Sequence, residues 1–320
     1  MIGLDDVLAA REAIGGRLHR TPLFSSATLS KQVGARVHLK AELFQRTGSF
    51  KPRGVLTKLA SLTAEEKGRG VIGISAGNHA QALAYGAALE GIDCLVVMWT
   101  GASAQKIAAT REYGARIDLE ATSPSQAFER LDELLEETGR TIVHPFDDPR
   151  VMAGQGTVGL ELLEDVPEVD VVLVPVGGGG LVSGVATAVK GQRPQARVVA
   201  VEPEGSAALH RALEAGRRVE IEPNSIADGL NAPHVGRIAL AVCRDLVDES
   251  VLVSDDEIRE GMRFLYARAK LACEPAGAAG AAALLAAKVR LGRGGDVAVV
   301  VSGGNVAPRT ASDILAFGEA

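Results

Sequence analysis

Runs of apolar, often β-branched residues recur along the chain and alternate with stretches whose apolar positions repeat at a helical period. The runs predict strands at Val71–Ser75, Cys94–Trp99, Arg116–Leu119, Thr141–His144, Val171–Val176, Val198–Glu202 and Val297–Ser302. Helices are predicted over Ser103–Tyr113, Pro124–Thr138, Met152–Glu164, Leu181–Lys190 and Asp255–Lys270. Strands apolar at consecutive positions are buried on both faces, and intervening helices make them parallel. The pattern therefore predicts an α/β fold of parallel sheets with crossover helices. The stretch from Pro275 to Ala287 is almost all alanine, glycine and leucine and reads as a packed core helix. It ends at Lys288, short of the ~20 apolar residues that a membrane span needs.

Several strands run into loops that carry chemistry. Val71–Ile74 leads into Ser75-Ala76-Gly77-Asn78-His79, with a helical pattern after it. Val171–Val176 leads into Gly177, Gly178, Gly179 and Gly180, and Val297–Val301 into Ser302-Gly303-Gly304-Asn305. In open α/β sheets, ligands bind beyond the carboxyl ends of strands, so these loops can share one crevice. Four glycines ahead of a helix let backbone N–H groups converge on an anion, and a phosphate is the natural guest. Taken alone, the same run is a tight connection needing positive φ. It fits neither common nucleotide-binding pattern.

A fourth segment, Gln45-Arg46-Thr47-Gly48-Ser49-Phe50-Lys51-Pro52-Arg53, places a lysine among small residues beside an aromatic ring. Such an amine can hold an aldehyde as an imine if it is partly neutral. Burial beside Phe50 and the positive charge of Arg53 are both expected to promote that.

In this order the four segments resemble the serine/threonine dehydratase group of pyridoxal-phosphate enzymes, and the resemblance covers nearly the whole chain. It implies the two-domain architecture shared with tryptophan synthase β chains, known as fold type II. Residues 1–67 and 149–320 would form a large cofactor-binding domain, and 68–148 a small mobile one. Lys51 resembles the Schiff-base lysine, and Phe50 a residue packed against the cofactor ring. Asn78 resembles the partner of the phenolic oxygen, Gly177 to Gly180 the phosphate cradle, and Ser302 the partner of the pyridine nitrogen. Ser75, Ala76, Gly77 and His79 fall in the loop that would grip the substrate carboxylate, with His79 holding the loop in shape. A neutral hydroxyl at the ring nitrogen cannot hold a full pyridinium, which suits prompt β-elimination over long-lived carbanion chemistry.

The implied reaction is dehydration of L-threonine, and of L-serine, to a 2-oxo acid and ammonia. The nearest rival is an amino-acid racemase on the same scaffold. In racemase relatives a serine follows the position of Ser75, whereas here it is Ala76, which has no proton to give. Other 3-hydroxy amino acids, 3-hydroxyaspartate among them, stay open as substrates. β-Replacement is disfavoured by the wording of the Ser75 loop, and a catalytically silent binding protein by the presence of Lys51.

The family also contains members that bind Mg²⁺ or Ca²⁺ through a glutamate after a strand. Glu202 matches that position, but the acidic residue expected further on is Ala208 and Glu204 is out of register. As a lone carboxylate, Glu202 would cap the next helix instead. Pro52 departs from the family's usual apolar residue and is expected in the first turn of a helix. Glu274 is expected either near the cofactor ring or as a helix cap.

Composition narrows the rest. A net charge of −6 and 3% aromatic residues argue against nucleic acid as a partner. Cys94, Cys243 and Cys273 show no metal spacing and are expected as buried free thiols. The acidic and basic residues from Asp5 to Glu12 leave no signal-peptide core, so a cytoplasmic protein is expected. With the chain ending soon after Asn305, the regulatory module of longer relatives is not expected. The resemblance implies a homodimer or homotetramer.

Overall fold

The computed structural model describes residues 2–102 and 104–316. Its strands are β1 (Leu23–Ser25), β2 (Arg36–Ala41), β3 (Val71–Ile74), β4 (Cys94–Trp99), β5 (Arg116–Ala121), β6 (Thr141–Ile142), β7 (Val171–Pro175), β8 (Arg197–Pro203), β9 (Glu249–Val253) and β10 (Asp296–Val301). They form a six-stranded sheet in the order β1-β2-β10-β7-β8-β9 and a four-stranded sheet in the order β5-β4-β3-β6. Every pairing is parallel except β1 with β2. The chain leaves the larger sheet after β2, builds the smaller one, and returns at β7.

Burial explains why β7 and β10 were legible. All residues of both strands are buried, because helices cover both faces of the sheet. The helix Pro275–Leu285 is buried over ten consecutive residues. Its small side chains let it lie close on the sheet: a Cβ at Gly280 would come within 2.6 Å of Val299 Cγ1.

Three strands escape the pattern. β2 carries His38 and Lys40, and β9 begins with Glu249 and Ser250. β1 is a three-residue antiparallel edge. The helix expected over Asp255–Lys270 is α-helical to Phe264, continues as one π-helical turn over Leu265–Ala269, and stops at Lys270 with φ 59°. The helix expected from Ser103 is found over Ala104–Glu112, and Ser103 itself lies outside the described residues. Pro52 sits in the first turn of the helix Lys51–Ala60, where its missing N–H costs nothing.

Cys94, Cys243 and Cys273 are buried and free, and burial pushes each thiol up to about 12. Among the described residues no helix is long and apolar enough to cross a membrane.

Candidate active site

The four loops do meet. β2 ends in two short 3-10 turns, Glu42–Phe44 and Arg46–Gly48, and the helix Lys51–Ala60 starts directly after them. This segment lies along the loop that follows β10. Phe50 N–H donates to Ser302 O at 3.1 Å, Gly304 N–H donates to Gly48 O at 2.9 Å, and Ser49 bridges Gly303. The loop after β3 joins through Asn78, whose Nδ2 donates to Glu274 Oε1 at 2.8 Å. The Glu274 N–H in turn donates to Gly303 O at 3.1 Å. Lys51, Asn78, Ser302 and Glu274 are thereby held as one cluster.

The glycine loop is tied in from another direction. Lys51 Nζ donates to Pro145 O at 2.7 Å, and the next residue, Phe146, lies against the glycines. A Cβ on Gly178 would come within 2.3 Å of the Phe146 ring, and one on Gly180 within 2.8 Å of Phe146 O. A Cβ on Gly177 would meet the Leu230 backbone at 3.0 Å. Gly179, at φ 93°, turns the chain into the helix Gly180–Gln192, which starts with no side-chain cap. Close approach and positive φ are thus both reasons for glycine here. An uncapped helix start presents N–H groups and the positive end of the helix dipole to an anion.

The surroundings of Lys51 lower its affinity for a proton. Burial lowers its amine from 10.5 to about 8, against the opposing charge of Glu274. Its Nζ lies 5.2 Å from the Phe50 ring centroid, so the expected desolvation beside that ring is present. The expected help from Arg53 is not. Arg53 faces away into a buried network: Nε and NH2 donate to the two Glu42 oxygens, each at 2.8 Å. NH1 and NH2 donate to Glu161 at 2.6 and 2.9 Å, and NH1 also to Thr157 Oγ1 at 3.1 Å. Two carboxylates neutralise this guanidinium, which therefore cannot act on Lys51 as a free positive charge.

Glu274 stands at the N-cap position of the helix Pro275–Leu285 yet does not cap it. Burial, with Asp228 nearby, raises its carboxyl to about 7, and its side chain turns to Asn78 instead.

Ser75, Ala76, Gly77 and Asn78 are half-buried. Gly77 N–H donates to Ser75 Oγ at 3.1 Å, so the loop satisfies one of its own donors. The His79 side chain is buried away from the loop, where its Nε2–H donates to Val143 O at 2.8 Å. Burial and the charge of Lys51 push the ring down to about 3, so it stays neutral and cannot exchange protons near pH 7.

Glu202 is fully buried, and its two oxygens accept the N–H groups of Leu209 and His210 at 2.8 and 2.7 Å. It caps the helix Ala208–Ala215, and the metal-ligand reading of this residue gains no companions. Among the described residues no cluster of three or more His, Cys, Asp or Glu is arranged to hold a metal.

Residues that the sequence did not single out complete the setting. Pro145 and Phe146 join the lysine to the glycine loop, whereas in the sequence Pro145 and Pro149 mark no more than a turn. Glu42 and Glu161 gave none, since their partners lie 11 and 108 residues from them.

A family model described as pyridoxal-phosphate dependent enzyme matches residues 15–303. An L-threonine ammonia-lyase of Thermotoga maritima is 44% identical over 308 residues, covering 96% of this chain and 76% of that protein. A catabolic L-threonine dehydratase of Escherichia coli is 40% identical over 321 residues, covering 100% of this chain and 98% of its relative. Among solved structures, maize serine racemase superposes with a TM-score of 0.94 at 38% identity, covering 98% of this chain and 96% of its own.

Proposed function

The chain belongs to the pyridoxal-phosphate dependent enzymes, and from that premise we propose that it is a threonine dehydratase, converting L-threonine to 2-oxobutanoate and ammonia and accepting L-serine as well. The observation that carries the reading is Lys51: an amine held at about 8 within the cluster of Asn78, Ser302 and Glu274, in a chain 40–44% identical to threonine ammonia-lyases and dehydratases.

The site fits the cofactor in three respects. The glycine loop leaves a helix start uncapped for a phosphate. The Lys51 amine is desolvated enough to be reactive. Asn78 is held by its neighbours in one orientation. Gly177 to Gly180 would hold the phosphate, Phe50 would pack on the ring, and Asn78 and Ser302 would meet the phenolic oxygen and the pyridine nitrogen. Pyridoxal phosphate, when bound, supplies an aldehyde for the substrate amine and a conjugated ring that accepts the electron pair left at Cα.

Lys51 then works as a general base. At pH 7 an amine with this affinity for protons is neutral in roughly one molecule in ten, against about one in three thousand for an ordinary lysine. It removes the Cα proton, and the β-hydroxyl takes up a proton and leaves as water. The Ser75–Gly77 backbone would orient the substrate carboxylate. His79 keeps that loop in place as a neutral ring.

The small domain, residues 68–148, would move as a lid. In support, its smaller sheet carries the Asn78 loop, and its Lys106 forms an ion pair with Asp228 of the larger segment. A homodimer or homotetramer belongs to the same reading. Phe24 and Phe44, 40% and 47% exposed, pair edge to face beside the edge strand β1 and would be covered in such an assembly. A cytoplasmic site of action belongs to the same reading.

Serine racemisation is the second reading, favoured by the likeness to maize serine racemase. It needs a second proton donor opposite Lys51, and Ala76 offers none there. Oxo-acid release from L-threonine, L-serine and 3-hydroxyaspartate, measured beside D-serine formation from L-serine, separates the two. The dehydratase reading expects 2-oxobutanoate from L-threonine as the fastest product. D-Serine outpacing every oxo acid would overturn it.

A further inference from the structure

Asn305 closes the motif after β10, and no role in the reaction has been given to it. Its Nδ2 donates to Thr47 O at 2.7 Å and to Asn78 Oδ1 at 2.8 Å. Thr47 has φ 61°, a conformation unusual for a residue with a side chain, and its carbonyl is delivered to Asn305 from it. Gly48 leaves the room: a Cβ there would come within 2.5 Å of Asn305 Oδ1.

The chemistry of these contacts sets a direction. A backbone carbonyl can only accept, so the end of the Asn305 amide facing Thr47 must be the nitrogen. That same nitrogen then donates to Asn78, so the end of Asn78 facing it must be the oxygen. The Asn78 nitrogen is left to face Glu274, to which it donates at 2.8 Å. Orientation passes from Thr47 through Asn305 to Asn78, and no member can turn over without setting two acceptors against each other.

We infer that Asn305 is a positioning residue that ties down the oxygen of the Asn78 amide and leaves its nitrogen, turned to Glu274, as the end that can meet the cofactor, so that Asn78 serves only as a hydrogen-bond donor. The inference rests on Asn78 being the partner of the phenolic oxygen. An oxygen that carries negative charge is stabilised by a donor and repelled by an amide oxygen. Without Asn305, the Asn78 amide keeps Glu274 as a partner for its nitrogen but loses the contact that ties down its oxygen.

The test is a titration of apo-protein with pyridoxal phosphate, followed by absorbance and fluorescence, on Asn305→Ala, Asn305→Asp, Asn78→Ala and the double variant Asn78→Ala/Asn305→Ala. Melting of each apo-protein serves as the folding control. Asn305→Ala should weaken cofactor binding about tenfold, the scale of one oriented hydrogen bond. Asn305→Asp should weaken it further, because its carboxylate demands a donor and turns Asn78 over. This near-isosteric variant also keeps the comparison open if the alanine variant folds poorly. In the Asn78→Ala background, Asn305→Ala should change affinity less than about twofold, since its effect acts through Asn78. Unchanged affinity in Asn305→Ala, or the same loss with Asn78 already removed, would overturn the inference while leaving the dehydratase reading intact. Unchanged affinity in Asn78→Ala would remove the assignment of Asn78 to the cofactor, and the inference with it.

Discussion

Replacing Arg53 by alanine should cost several kcal/mol of stability, about 3–5 kcal/mol by the usual cost of breaking a buried ion pair from one side. Arg53 is 1% exposed and Glu42 is fully buried, and the guanidinium grips both Glu42 oxygens. Among the described residues, the only other side-chain partner of Glu42 is the hydroxyl of Thr21. Glu161 is better placed, because Lys40 Nζ also donates to it at 2.6 Å. Burial works to raise the Glu161 carboxyl, but Arg53 and Lys40 outweigh it and hold the group below the usual range. Two cations and two anions therefore balance inside the protein, and removing Arg53 strands one buried carboxylate. Breaking a buried pair from one side typically costs about 3–5 kcal/mol, a large share of the ~5–15 kcal/mol that holds a domain together. Urea unfolding of the apo-protein at pH 7 would measure this. The paired change Arg53→Met with Glu42→Leu should cost much less than the sum of its parts, since it leaves no charge without a partner. A loss below about 1 kcal/mol in Arg53→Ala would refute the argument, because it would mean that water reaches Glu42.

The rate should rise with pH through about 8, because Lys51 works as a neutral amine and its folded value is lowered to there. Glu274→Gln should move that rise to lower pH, since the Glu274 charge pulls the Lys51 value up; pH–rate profiles of the two proteins check both. None of the three cysteines should react with a thiol reagent at pH 8 in the native protein, and all three should react after unfolding, counted by released chromophore. Ala76→Ser should raise D-serine formation from L-serine relative to pyruvate release, measured by chiral chromatography, because it adds a proton donor at the position where racemase relatives carry one.

What could be read from the sequence depended on whether an environment is local. β10 and β7 were legible because their apolar runs are the burial itself. The lowered value of Lys51 was legible in direction, since the ring that helps to dry it is its neighbour Phe50. Arg53 was misjudged for the opposite reason. Next to Lys51 it looks like a free charge, and only the packing of Glu42 and Glu161 around it reveals that it is neutralised. β2 stayed hidden because Lys40 reads as a surface residue until Glu161, 121 positions away, is placed against it. Asn305 was visible as part of a motif, but its role requires the carbonyl of Thr47, 258 residues earlier, to be within reach.

The proposed role of the Lys51 amine is what would make this site a threonine dehydratase. Its most direct test is 2-oxobutanoate release from L-threonine by the parent protein and by Lys51→Ala, each loaded with pyridoxal phosphate to equal occupancy. Steady release is expected from the parent and a loss of about a thousandfold or more from the variant, since the proposed base and cofactor anchor disappear together. Release by Lys51→Ala at a rate near that of the parent would contradict it.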